Sequence, residues 1–150
     1  GDNEKKMLDR IFHFDEIEVE DVMTPLEKII SVPLGINEGE LERILLEEGH
    51  NRIPIYDTDK SNIVGIIYVR DILYLFKNSS LIRVSDLMSA PYFVYPTQRV
   101  AELLKEFQRR KIQIAIVRNE VNQAIGLVTL EDLLEEIVGE IEEIDTSLKD

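Results

Sequence analysis

The stretch GIIYVRDIL, from Gly65 to Leu73, recurs as GLVTLEDLL, from Gly126 to Leu134. Gly65 and Asp71 return as Gly126 and Asp132, each 61 residues on. Three further pairs keep the same order. DVMTP (Asp21 to Pro25) resembles DLMSAP (Asp86 to Pro91), LERIL (Leu41 to Leu45) resembles VAELL (Val100 to Leu104), and RIPIYD (Arg52 to Asp57) aligns with QIAIVR (Gln113 to Arg118). Such internal similarity means that the chain folds as two copies of one supersecondary unit. The strands it implies are too short to hold a sheet alone, so the two copies must share a core.

Each copy reads as β-α-β-β-α. In the first, Ile29 to Val32 is a short strand. Asn37 is suited to cap a helix over Glu38 to Glu48, with Glu40 three residues on, and Gly49 stops it. Ile53 to Tyr56 and Ile63 to Tyr68 are apolar strands joined by the polar turn DTDKSN. Val69, Ile72, Leu73 and Phe76 then recur at helical spacing. The second copy has a strand at Phe93 to Tyr95 and a helix stripe of Val100, Leu103, Leu104 and Phe107. Strands at Ile112 to Val117 and Ile125 to Thr129 follow. A long amphipathic helix begins at Leu130 and runs through Ile137, Ile141 and Ile144. Met7, Leu8, Ile11 and Phe12 suggest a further helix before the first copy. The expected division is 1–18 for this lead-in, 19–78 and 79–145 for the two units, and 146–150 for a tail.

Composition narrows the function. A net charge of −13 argues against nucleic-acid binding, which needs a basic surface to displace counterions. No apolar run reaches the roughly 20 residues of a membrane span, so no direct membrane insertion is expected. There is no cysteine, which rules out disulfides and thiol chemistry. His13 and His50 stand far apart, and no HExxH, nucleophile elbow or Walker loop is present, so no catalytic residue is assigned. The acidic stretch EEIVGEIEEID has three readings: a solvated helix face, carboxylates that sense a hard cation such as magnesium, or acids that repel across an interface until a cation intervenes. No metal ligand is assigned from it.

The repeated glycine-to-aspartate step carries the chemistry. A strand-ending glycine allows close approach to the backbone. Thr129 falls where a helix starts, and free N–H groups there suit phosphate. Asp132, one turn in, can accept from both hydroxyls of a ribose. The plain alternative is a helix cap and a favourable first-turn acid. In one copy alone that alternative outweighs the ligand. Two copies in matched settings turn the reading toward a ribonucleotide.

Together VEDVMTP, HNRIPIYD, IVGIIYVRDIL, QIAIV and GLVTLEDLLEEIVGEIEE resemble a tandem pair of CBS domains, a Bateman module. They are most similar to those of the CorC/HlyC/TlyC hemolysin-related proteins, relatives of the CNNM magnesium transporters. The resemblance implies an α/β fold of two pseudo-twofold-related CBS units. It implies regulation and no enzyme activity: an adenine nucleotide, AMP or ATP, with or without magnesium, binds and changes the geometry of a homodimer. A membrane transport domain of the parent protein would read that change and export magnesium or cobalt, and the module would be its cytoplasmic part. By resemblance, Asp132 takes the ribose hydroxyls and Thr129 a phosphate oxygen. Ile114 and Ala115 line the adenine slot, Arg52 reaches the phosphates from the first unit, and Thr97 adds a lesser contact. Tyr68 stands where Thr129 stands in the second copy, so Tyr68 and Asp71 would make a second, weaker site. Apolar faces such as Leu130–Leu134–Ile137 and Ile72–Phe76 would be covered in the dimer. The alternative is a structural dimerisation module that binds no nucleotide.

Overall fold

A computed structural model describes residues 1–77 and 83–149, with the side chains at 7, 10–12, 74–76, 140–141 and 143–149 outside that description. The expected helix contacts of Met7, Ile11, Phe12, Phe76, Ile141 and Ile144, and the boundary between the copies at 78 and 79, therefore lie outside the described residues.

Each copy is a β-α-β-β-α unit. In the first copy, β2 (Val32–Pro33), α3 (Glu38–Glu48), β3 (Arg52–Tyr56), β4 (Ile63–Tyr68) and α4 (Val69–Lys77) follow in order. In the second, β5 (Phe93–Val94), α6 (Val100–Arg110), β6 (Ile114–Arg118), β7 (Ala124–Thr129) and α7 (Leu130–Lys149) do the same. Local chemistry sets the boundaries. The Asn37 side chain accepts the Glu40 N–H at 2.8 Å, and Gly49 closes α3 with φ of 65°, a left-handed turn that glycine adopts without a side-chain clash. At the β3–β4 turn, the Ser61 N–H and hydroxyl both donate to Asp59 Oδ1 at 2.8 Å, holding that carboxyl below its ordinary range.

Space divides the chain differently from sequence. One compact unit, here the terminal unit, joins Gly1–Pro25 to Phe93–Asp150; the central unit is Leu26–Tyr92. The cause is an exchange of opening segments. Sequence reading left α2 (Val19–Val22), β1 (Thr24–Pro25) and α5 (Val84–Leu87) unassigned as separate elements. In the terminal unit, β1 pairs antiparallel with β7, setting Thr24 opposite Leu127 and Pro25 opposite Gly126. In the central unit, the segment after α5 bridges to β4: the Ile66 N–H donates to Ser89 O at 2.9 Å and the Ser89 N–H to Ile66 O at 2.8 Å. Each copy's opening motif thus completes the sheet of the other copy.

The terminal unit holds a sheet ordered β1-β7-β6-β5, and the central unit one ordered β2-β3-β4. In both, the first two strands of the copy run parallel and a helix makes the crossover, while the last two form an antiparallel hairpin. The central core is Val32, Leu41, Ile53, Ile55, Ile67, Ile72 and Val84. The terminal unit buries Val19, Val94, Val100, Leu103, Phe107, Ile116, Val128 and Leu133. The N-terminal helix α1 (Asp2–Glu16) packs on α7 and α6 of this unit.

Two expectations need correction. RIPIYD and QIAIVR are out of step by one residue. Arg52 pairs with Tyr68 as Ile114 pairs with Thr129, so Arg52 corresponds to Ile114 and Tyr56 to Arg118. Ile53–Ile55 and Ile114–Val117 are buried on both strand faces, so the apolar pattern carries no face signal to set the register. Ile72 does not belong to an exposed face either: it is 1% exposed in the central core, and Leu73 stands outside instead.

The repeated glycines are explained here. A Cβ on Gly126 would fall 2.5 Å from Met23 Sδ and 2.9 Å from Thr24 O; one on Gly65 would strike Met88 Sδ. The Met of each opening motif therefore lies directly on the glycine of the sheet it completes. Gly126→Ala is expected to lower stability by about 1–3 kcal/mol in urea unfolding. Adding Met88→Ala to Gly65→Ala, or Met23→Ala to Gly126→Ala, should rescue only in part, because a contact at 2.9 Å remains in each case, the residue 88 Cβ in one and the Thr24 carbonyl in the other.

Candidate functional site

The sequence singled out the junction of β7 and α7, and the structure shows how it is held. Thr129 is the last residue of β7 and Asp132 the third of α7; both are half-buried. The Thr129 N–H donates to Asp132 Oδ2 at 2.9 Å, and the Asp132 N–H donates to Thr129 Oγ1 at 3.2 Å. This reciprocal pair satisfies two donors that a helix start leaves without a backbone acceptor. It occupies one carboxylate oxygen of Asp132 and leaves Oδ1 outside the bond. The Leu130 N–H is taken by Gln113 O at 2.9 Å, which fixes the turn from the far side.

The central unit repeats half of this device. The Tyr68 N–H donates to Asp71 Oδ2 at 3.3 Å, and the Val69 N–H to Asn51 O at 2.9 Å. Tyr68 has no hydroxyl on its Cβ, as Thr129 has, and its phenolic oxygen is across the ring, so the return bond is missing. Arg70 stacks its guanidinium 4.8 Å from the centroid of the Tyr68 ring instead. The opening motifs use the same aspartate geometry: Glu18 N–H donates to Asp21 Oδ2 at 3.0 Å and Arg83 N–H to Asp86 Oδ2 at 2.9 Å. All four repeated aspartates thus have a structural task at a helix start.

The other expected site residues fall into three groups. Ile114 pairs directly with Thr129 across the β6–β7 hairpin and is 6% exposed. Ala115 is next to it but has no exposed surface, so a ligand reaches it only if its neighbours move. Arg52 is in the central unit, half-buried, at the start of β3 and opposite Tyr68. Thr97 is not brought to the Thr129 cluster within its own unit. β5 runs parallel to β6 with Val94 beside Val117, so the chain leaves it toward the Arg118 end. Thr129 lies at the Ile114 end, roughly 10 Å away along the strands.

At the Arg118 end, the Arg118 guanidinium stacks 4.1 Å from the Phe93 ring centroid, and its buried Nε has no hydrogen-bond partner. Sequence reading named Arg118 only as the last residue of the QIAIVR motif. Its stacking on Phe93 depends on the β5–β6 pairing, which the local sequence does not reveal. Glu106 of α6 is also held below its ordinary range, by hydrogen bonds from Arg109 and then Arg110. Among the described residues no group of three or more His, Asp or Glu is arranged to hold a metal ion. No described helix is long and apolar enough to cross a membrane.

A family model described as CBS domain matches residues 19–78 and 84–139. The chain belongs to the CBS-domain family, as a tandem pair of the CNNM/CorC kind. It is 35% identical to the CBS domain of a bacterial CNNM/CorC-family Mg2+ transporter solved in complex with ATP, with a TM-score of 0.81 over 91% of this chain and 97% of that one. A CBS-domain pair with bound AMP from Klebsiella pneumoniae is 26% identical, with a TM-score of 0.68 over 81% of this chain and 98% of that one. The magnesium and cobalt efflux protein CorC of Vibrio cholerae is 34% identical over 140 residues, 93% of this chain and 48% of that protein. A protein of Rickettsia akari named as a possible hemolysin C is 34% identical over 142 residues, 94% of this chain and 47% of its own length. The chain thus spans about half the length of these two relatives.

The capping role yields its own test. Asp132→Ala should cost about 1 kcal/mol of stability, as loss of a helix-start acceptor does, whereas Asp132→Asn, which keeps an oxygen, should cost a few tenths. Chemical denaturation of the three proteins in parallel measures the difference.

Proposed function

We propose that this CBS pair is the adenine-nucleotide sensor of a CorC-like protein. AMP or ATP, with or without magnesium, binds at Thr129 and Asp132, and occupancy changes the geometry of a homodimer. A membrane transport domain of the parent protein answers that change in exporting magnesium or cobalt, with the CBS pair as its cytoplasmic part. The observation that carries the reading is the Thr129–Asp132 pair, in a chain similar over most of its length to a CBS domain solved with ATP.

The chemistry is suited to the ligand. One Asp132 oxygen is spent on the helix start, and the second remains to accept from a ribose. The helix dipole and the Thr129 hydroxyl, whose O–H can still donate, favour a phosphate beside Thr129. An arginine guanidinium, such as that of Arg52, has a planar fork that pairs well with phosphate. At the equivalent place in the central unit, Tyr68 has no aliphatic hydroxyl and is stacked by Arg70, which supports a weaker second site at Asp71. Homodimer formation is supported by apolar side chains left outside: Leu134 is 47%, Val138 51% and Leu73 59% exposed.

One observation favours a second reading. The same two bonds at Thr129 and Asp132 satisfy each other without a ligand, as a purely structural dimerisation module requires.

Calorimetry with AMP and ATP, with and without magnesium, separates the two. The sensor reading expects saturable binding and a rise in thermal stability equivalent to about 2.7 kcal/mol at a hundredfold excess over Kd. Asp132→Ala, compared with its own ligand-free baseline, should abolish that rise. A wild-type protein that stays indifferent to both nucleotides at millimolar concentration favours the structural module.

A further inference from the structure

The segment 16–25 is anchored at both ends to the terminal unit, and the anchors are of different kinds. At its start, backbone bonds join it to the β5–α6 turn. Val19 N–H donates to Gln98 O at 2.8 Å, Glu20 N–H to Pro96 O at 3.0 Å, and Val100 N–H to Ile17 O at 2.9 Å. One side chain spans the same junction: Arg99 Nη1 donates to Glu16 O at 2.8 Å, between residues 83 apart in sequence. Glu16 is the last residue of α1, so this bond ties the end of that helix to the start of α6. Ile17 and Val19, only 7% and 0% exposed, are buried in the same region.

At its other end the segment becomes β1, with Thr24 beside Leu127, two residues before Thr129. Met23 lies on Gly126. Between the anchors, α2 touches both β7 and α7, while α1 packs along α7 and α6. One short segment therefore connects the strand that carries Thr129, the helix that carries Asp132, and α1.

We propose that segment 16–25 transmits occupancy of the Thr129–Asp132 site to α1, and that Arg99 is the positioning residue that makes the transmission work. The inference rests on the nucleotide-sensor reading. Ligand at the start of α7 shifts the balance between two placements of β1 and α2 on β7, to the extent that it favours one of them. The carbonyl at Glu16 belongs to the open C-terminal end of α1, where a cation is favoured by the helix dipole as well as by the hydrogen bond. Without the guanidinium, α1 keeps its packing on α7 and α6 but its end is no longer held to the turn that anchors α2. Movement of α2 is then absorbed at residues 16–18 and does not reach α1.

Amide hydrogen exchange read by mass spectrometry, on the whole chain with calorimetry beside it, tests this. In ligand-free protein, Arg99→Gln should speed exchange over residues 2–20 about tenfold, the worth of one charge-assisted hydrogen bond, and leave β6 and β7 unchanged as proof of folding. In wild type, saturating ATP should change exchange over 2–20. In Arg99→Gln, ATP should still bind by calorimetry and that remote change should vanish, and Arg99→Lys, which keeps a charged donor, should restore it. ATP that binds without altering residues 2–20 in wild type, or a change that survives in Arg99→Gln, overturns the transmission and leaves the sensor standing. Absence of both ATP and AMP binding in wild type overturns both.

Discussion

The pairing of β1 with β7, sealed by Met23 lying on Gly126, is the contact on which the terminal unit depends. Without it, β7 becomes an edge strand next to the proposed site, with unpaired backbone groups exposed to other chains. Without it, too, α2 loses the strand that leads away from it. The contact needs glycine because a thioether and a backbone carbonyl both occupy the place of a side chain. The central unit repeats the arrangement with Met88, Gly65 and the Ser89–Ile66 bridge. Met suits the task because its unbranched, flexible side chain can settle on a bare patch of backbone. The consequence is an exchange: each copy's opening motif stabilises the other copy's sheet, so neither copy is an independent folding unit.

That architecture gives the site its character. The Thr129–Asp132 bonds are first of all a helix start, and Asp21, Asp71 and Asp86 show the same acceptor geometry where no Thr is present. Aspartate recurs because a helix start needs an acceptor for a backbone N–H. Function, on the sensor reading, is built on that structural device by adding a hydroxyl and leaving one carboxylate oxygen outside the cap. Structure and ligand then draw on the same residues, which couples binding to the stability of the α7 start.

Much of this was legible in the residues. Asn37 and Gly49 marked both ends of α3, and the apolar stripes marked α4, α6 and α7. The β4 and β7 hairpin strands were visible because Gly65 and Gly126 sit at matching places in both copies. The misreadings have a common origin. The opening motifs hold two-residue strands and four-residue helices, too short to carry a period of their own. β3 and β6 are apolar on both faces, so a slip of one residue left their pattern unchanged. Thr97 was expected at the site from the resemblance alone, which carries no information on the β5–β6 pairing.

The sequence by itself determined the duplication, the β-α-β-β-α order, the family and the asymmetry between Thr129 and Tyr68, because each of these is written in local composition and periodic spacing. Tertiary structure alone decided which sheet each opening motif completes, how β3 corresponds to β6, why the glycines recur beneath Met23 and Met88, and where Arg99 binds Glu16. These are contacts between residues tens of positions apart. Close packing and hydrogen-bond satisfaction select them only when the whole unit assembles.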